Sequence, residues 1–225
     1  AAAGLTATLA GSSAINMFQT FQMMQSVSES CDAPYFSSDH QSCSSVLREL
    51  EGMKRKELLH VYSTSVAPSD LTAITGGWNG ILLDNNLRIM TGVSGFLTNT
   101  LFGRGRTWNG KAFHGDSVGV NRFFAPNNEH DDDGTRLIET EHKFDYTIED
   151  SPLDGRPSLR MKYAAYQFPL SLWRTMEDEM RLIPCNDGKV MIALGLLGWS
   201  GGIFNAQPFC LYLTTTEQGE LEVAE

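Results

Sequence analysis

Apolar and polar residues change their rhythm near position 65. Ahead of it, Ala14, Met17, Phe18, Phe21 and Met24 recur at spacings of three and four, with Asn16, Gln19, Gln22 and Gln25 between them. That spacing predicts an amphipathic helix with an uncharged amide face. A second stripe, Leu47, Leu50, Leu58 and Val61, predicts a helix from Ser44 to about Tyr62, weakened at Gly52. From about Leu71 onward the period shortens toward two. In "RLIETEHKFDYTIED" Leu137, Phe144, Tyr146 and Ile148 sit among polar neighbours, and "PSLRMKYAAY", "EDEMRLIP", "KVMIALGLL" and "PFCLYLTT" predict further strands. Turn-forming stretches, "NNEHDDDG", "SPLDGRP", "CNDGK" and "GWSGG", separate them. Short strands at this spacing predict an antiparallel barrel or sandwich, and no strand–helix alternation points to a parallel sheet.

The strand region opens with "TAITGGWNGILL", a G-x-W-x-G pattern of Gly76, Trp78 and Gly80, and the idea returns in "RTWNGKAF" at Trp108 and Gly110. A glycine beside a strand lets the backbone bend or approach a neighbour closely. A tryptophan there can plug the narrow end of a small barrel, with the second glycine making room beside the ring. Lipocalins open their first strand with G-x-W after a short helix, and "PSDLTAI" could supply that helix here. Taken in order with "GRPSLRMKYAAY", "FPLSLWRTMEDEMRL", "GLLGWSG" and "PFCLYL", the pattern resembles a bacterial and algal family named for G-x-W-x-G, over roughly residues 68 to 215. That family joins the motif to a companion C-terminal β domain of unknown function. The resemblance implies a mainly β fold, an antiparallel lipocalin-like (calycin-type) barrel, and it brings no catalytic residues; the apolar stripes ahead of the barrel add an N-terminal helical extension. The expected layout is an extension at 1–65, a barrel at 66–216 and an acidic tail at 217–225. The chain departs from the family in its long N-terminal segment and in "NNEHDDDG", where a specialised role would sit. Arg106, Arg122 and Arg160 are candidates to stack on Trp78 or Trp108 across the barrel floor.

Composition narrows the classes. At 225 residues, with 41% hydrophobic and 20% charged residues, the chain is that of a folded protein. A net charge of −10 argues against nucleic acid, which needs clustered Lys and Arg; Lys54-Arg55-Lys56 is short and flanked by Glu51 and Glu57. Cys31 and Cys43 close a short loop and could form a disulfide, while Cys210 in "PFCLYL" reads as a packed thiol. The uncharged Ala- and Ser-rich start suits an organelle-targeted or secreted protein, and its amides argue against a membrane span.

Catalytic patterns fail one by one. Gly198 to Gly202 matches G-x-S-x-G, but a strand pattern follows rather than a helix, and the last histidine is His142, so the hydrolase order of Ser, acid and His cannot be built. Three adjacent carboxylates in "EHDDDG" lack the alternate spacing of a calcium loop. His114 with Asp116 is too few groups for a metal, and Glu177 with Glu179 reads as one exposed strand face. No enzyme, metal or cofactor is expected.

Two functions remain. The first is a non-catalytic accessory subunit of an organellar membrane assembly, in its sharpest form a peripheral subunit of an algal plastid photosystem I–antenna complex. Its thylakoid-side partner proteins would be met through Met17, Phe18, Phe21 and Met24. The second is a lipocalin-like carrier of a small apolar ligand, a lipid or pigment, with Phe96, Leu97, Leu101 and Phe102 lining or lidding the cavity.

Overall fold

The computed structural model describes residues 35–36, 41–83, 96–126, 129–130, 134–198, 202 and 206–214. The stripe Met17, Phe18, Phe21 and Met24, the residue Cys31 and the tail at 217–225 lie outside them. Eight strands follow one another: β1 (Gly76–Leu82), β2 (Trp108–Phe113), β3 (Val118–Phe124), β4 (Ile138–Asp150), β5 (Pro157–Lys162), β6 (Met176–Ile183), β7 (Gly188–Leu197) and β8 (Gln207–Thr214). Each pairs antiparallel with the next, and β8 pairs back onto β1 with Asn79 opposite Tyr212, closing a barrel. The fold is the expected mainly β, lipocalin-like barrel. Among the described residues no helix is long and apolar enough to cross a membrane.

The two ends differ. Connections at 114–117, 151–156 and 184–187 are short and lie at one end; those at 83–107, 125–137, 163–175 and 198–206 are long and lie at the other. The short end is the floor. A single turn of 3-10 helix, Thr72–Ile74, leads into β1 where "PSDLTAI" predicted a short helix. Trp78 is fully buried on that end, its Nε1 donating to the Ile74 carbonyl at 2.8 Å.

The two tryptophan–glycine motifs interlock. A Cβ on Gly80 would overlap the Trp108 ring, and one on Gly110, where φ is 130°, would overlap the Trp78 carbonyl oxygen. Each motif's glycine therefore makes room for the other motif's tryptophan. The ring that Gly80 admits is that of Trp108 and not, as its place in the motif suggests, that of Trp78. Arg106 lies over Phe123 rather than over a floor tryptophan, at 5.0 Å from the ring centre. Arg160 is on the outer wall, paired with Glu149 and Glu177.

The single helix expected over 44–62 is two helices, α1 (Cys43–Gly52) and α2 (Arg55–Thr64). Gly52 ends the first, and extended Met53 and Lys54 form the break. Ser42 caps α1 by accepting from Ser45 N, and Glu57 accepts from Lys54 N at 2.7 Å to start α2. Their apolar faces, Val46, Leu50, Leu58 and Val61, pack on the outside of the barrel against Val190, Ile192, Leu194, Leu196 and Cys210. Strand β7 is thus covered on both faces, since Met191 and Ala193 point inward. That is why "KVMIALGLL" reads as a continuous apolar run instead of an alternation. Burial pushes the Cys210 thiol up to about 12, in keeping with a packed, unreactive sulfur.

A polar seam joins α2 to the wall. Arg181 makes two bonds of 2.6 Å to the Asp154 carboxylate and lies over the Tyr62 ring, whose hydroxyl donates to Glu179 Oε2 at 2.8 Å. Glu177 and Glu179 do share the outer face, but Glu179 is buried beneath Tyr62, and that burial raises its carboxyl above the ordinary range. Cys43 pairs with Cys185, not with Cys31. Nearness in sequence misled here: the first residue of α1 sits over the β6–β7 turn, where its amide also donates to Asp187 Oδ1. The pair spans 142 residues, so its removal frees a long loop in the unfolded chain. Cys185→Ser is expected to lower unfolding stability by about 2–5 kcal/mol in guanidinium titrations, and dithiothreitol should lower the wild type by a similar amount.

Candidate functional site

Toward the long-loop end, the barrel opens into a cavity of about 120 Å³. Its apolar wall comes from Leu82, Phe102, Trp108, Trp173, Met176 and Phe209, and its polar part from Lys111, Asn121 and Asp178. Of the four residues expected to line or lid a cavity, Phe102 does so. Phe96 and Leu101 are exposed on the same connection, and the side chain of Leu97 lies outside what is described.

The polar part is a closed hydrogen-bond network deep in the barrel. Lys111 Nζ lies 2.8 Å from Asp178 Oδ2 and donates to Asn121 Oδ1 at 2.8 Å and to the Tyr163 hydroxyl oxygen at 2.6 Å. Tyr163 donates in turn to Asp178 Oδ2 at 2.7 Å. Asn121 Nδ2 donates to the His142 carbonyl, and Trp108 Nε1 donates to Asn121 Oδ1 at 3.2 Å. Lys111 and Asp178 are only 2% and 4% exposed. Around the ammonium stand the rings of Phe144, Tyr163, Phe209 and Trp108, with centres 5.0 to 5.9 Å away. Desolvation pulls the Lys111 ammonium below its usual range, opposed by Asp178, and the same burial with Asp178 pushes the Tyr163 phenol well above its own.

Compared with protein-family models, characterised proteins and solved structures, the chain matches none.

None of Lys111, Asn121, Tyr163 and Asp178 stood out in the sequence. For Lys111 the reason is a bulge. Register shifts between Trp108 and Gly110, so Trp108 and Lys111, three residues apart, both face the interior. Strict alternation from Trp108 would have sent Lys111 outward. Asp178 did carry a signal, because it alternates with Met176, Met180 and Leu182 on the inward face of β6. An acid in that register is a buried acid and demands a partner. His142, without partner spacing in the sequence, stacks on Phe102 with ring centres 4.0 Å apart, and its Nε2 lies 2.7 Å from the Phe102 carbonyl, to which it can donate as the Nε2–H tautomer. Burial lowers its tendency to protonate.

Other candidates play parts in turns. The His114 carbonyl accepts from Tyr146, and Asp116 accepts from Val118 N in the β2–β3 turn. Cys43, Cys185 and Asp187 cluster closely enough to hold an ion, but both sulfurs are in the disulfide. Trp199 to Gly201 and Asp131 to Asp133 lie outside the described residues.

Chemically, the network neutralises itself. Each ammonium proton of Lys111 has an acceptor, so the cavity presents an apolar lining around an ion pair whose ammonium is fully bonded, not around a free cation. Lys111→Met, which fits the ring cage but strands the Asp178 charge, is expected to cost about 3–5 kcal/mol of stability. Lys111→Met with Asp178→Asn should cost clearly less than the sum of the two single changes, as measured by a double-mutant cycle in denaturant.

Proposed function

We propose that this protein is a lipocalin-like carrier of one small apolar ligand, a lipid or pigment, held at the long-loop end of the barrel. The observation that carries this reading is the cavity itself. It is lined chiefly by aromatic and aliphatic side chains, lies toward the barrel end where the strands are joined by long connections, and has a few convergent polar groups at its base. A solidly packed scaffold has no need of such a space. The resemblance to the GXWXG family agrees with a barrel of this kind and supplies no chemistry to compete with binding.

The test uses a neutral apolar probe, 1-aminoanthracene, followed by fluorescence polarisation on the purified protein. One saturable site is expected. Thr98→Phe, placed at the cavity edge, should weaken it by about tenfold or more. Absence of saturable binding would sink the carrier reading.

A second reading, the accessory subunit of a membrane assembly, is favoured by one surface. Phe168 and Leu170 are 71% and 85% exposed, and Tyr166, Leu172, Phe96 and Leu101 are exposed as well. All six lie on the two connections 83–107 and 163–175 at the mouth. Apolar residues gathered at one end suit contact with another protein or a membrane border. The plastid photosystem I–antenna form of this reading rests on the sequence resemblance and on the segment 1–28. Following the chain through density-gradient separation of gently solubilised source membranes tests it. Sedimentation with a large pigment–protein complex, lost when residues 1–28 are deleted, is the expected result.

A further inference from the structure

The ion pair leaves one polar atom unused, and its position restricts what the cavity can hold. Both bonds to the Asp178 carboxylate, from Lys111 and from Tyr163, fall on Oδ2. Neither of these bonds uses Oδ1. That oxygen faces the bare backbone of Gly195 on β7. A Cβ built there would stand 3.4 Å from Oδ1, 3.7 Å from the Gln207 carbonyl oxygen and 3.8 Å from the Phe209 ring. Gly195 and Asp178 both line the cavity. The missing side chain thus leaves a niche beside a carboxylate oxygen that opens on the cavity, where a ligand's donor can reach it.

We infer that the cavity takes a neutral apolar alcohol, whose hydroxyl enters the niche over Gly195 and donates to Asp178 Oδ1 while its hydrocarbon part lies against Trp108, Phe102 and Phe209. The inference rests on the carrier reading and narrows its ligand class. Competing head groups fail on charge and on proton count. A carboxylate would meet the Asp178 charge, and the Lys111 protons that could offset it are already given to Asp178, Asn121 and Tyr163. An ammonium would be placed beside the Lys111 charge. An ether or hydrocarbon offers no proton and leaves Oδ1 as it was.

Three eight-carbon probes separate these cases by calorimetric titration at neutral pH: 1-octanol, its isomer heptyl methyl ether, and octanoate. Octanol is expected to bind about tenfold or more tighter than the ether, the range for one hydrogen bond to a charged acceptor, and octanoate more weakly than either. Gly195→Ala adds a methyl group at ordinary contact distances, so the barrel should fold unchanged while octanol loses its advantage over the ether. Equal binding of octanol and ether, or tighter binding of octanoate, would overturn the alcohol assignment and leave the carrier reading standing. An advantage for octanol that survives in Gly195→Ala would remove Oδ1 as its cause. Failure of all three probes to bind a folded protein would overturn both readings.

Discussion

Hydrogen bonds from β8 back to β1 close the strand ladder, and closure leaves two places where apolar residues are buried. One is the interior, where the rings of Trp78, Phe113, Phe123 and Phe144 gather with Met161, Met180 and Met191. The other is the outer strip along β7 and β8 that α1 and α2 cover. Closure also decides what the approach of β1 to β2 must look like. The two strands carry large rings from both sides, and only bare backbone at Gly80 and Gly110 lets them meet. Without that approach neither the floor tryptophan nor the wall tryptophan could sit where it does.

An interior sealed in this way is a poor place for charge. The chain nonetheless buries a lysine and an aspartate there, and it does so with every ammonium proton satisfied and aromatic faces around the cation. Such an arrangement links β2, β3 and β6 with Tyr163 just beyond β5, so one network touches half of the wall. Whether an ion pair of this kind adds net stability over a packed apolar replacement depends on its hydrogen bonds, and here they fix the positions of five side chains at once. The placement of Asp178 Oδ1 toward the cavity follows from the same network, since Lys111 and Tyr163 both take Oδ2.

Much of the frame was legible because its signals are local. Alternation along 138–150, turn residues between strands and the G-x-W-x-G pattern are each visible within a dozen residues, and each corresponds to an element of the barrel. What escaped depends on distant parts of the chain. A bulge at Asn109–Gly110 turns Lys111 inward, which no count of alternate positions reveals. Glu179 looked exposed because the residue that buries it, Tyr62, belongs to another element altogether. Cys43 seemed destined for a neighbour twelve positions away, and its partner stands 142 positions downstream. Gly195 carries no motif at all; its meaning appears only when Asp178 is seen across from it.

The difference between the two barrel ends has a consequence for how such a chain can change over generations. Tryptophan, glycine and short turns at the floor hold closure, and they share almost no residues with the connections at the mouth. Lengthening a surface loop that is already long costs little chain entropy, and loops of this kind tolerate insertion and substitution. Mutations can therefore accumulate around the opening without disturbing the frame beneath it. Descendants of one such barrel can diverge in what they admit long before they diverge in shape.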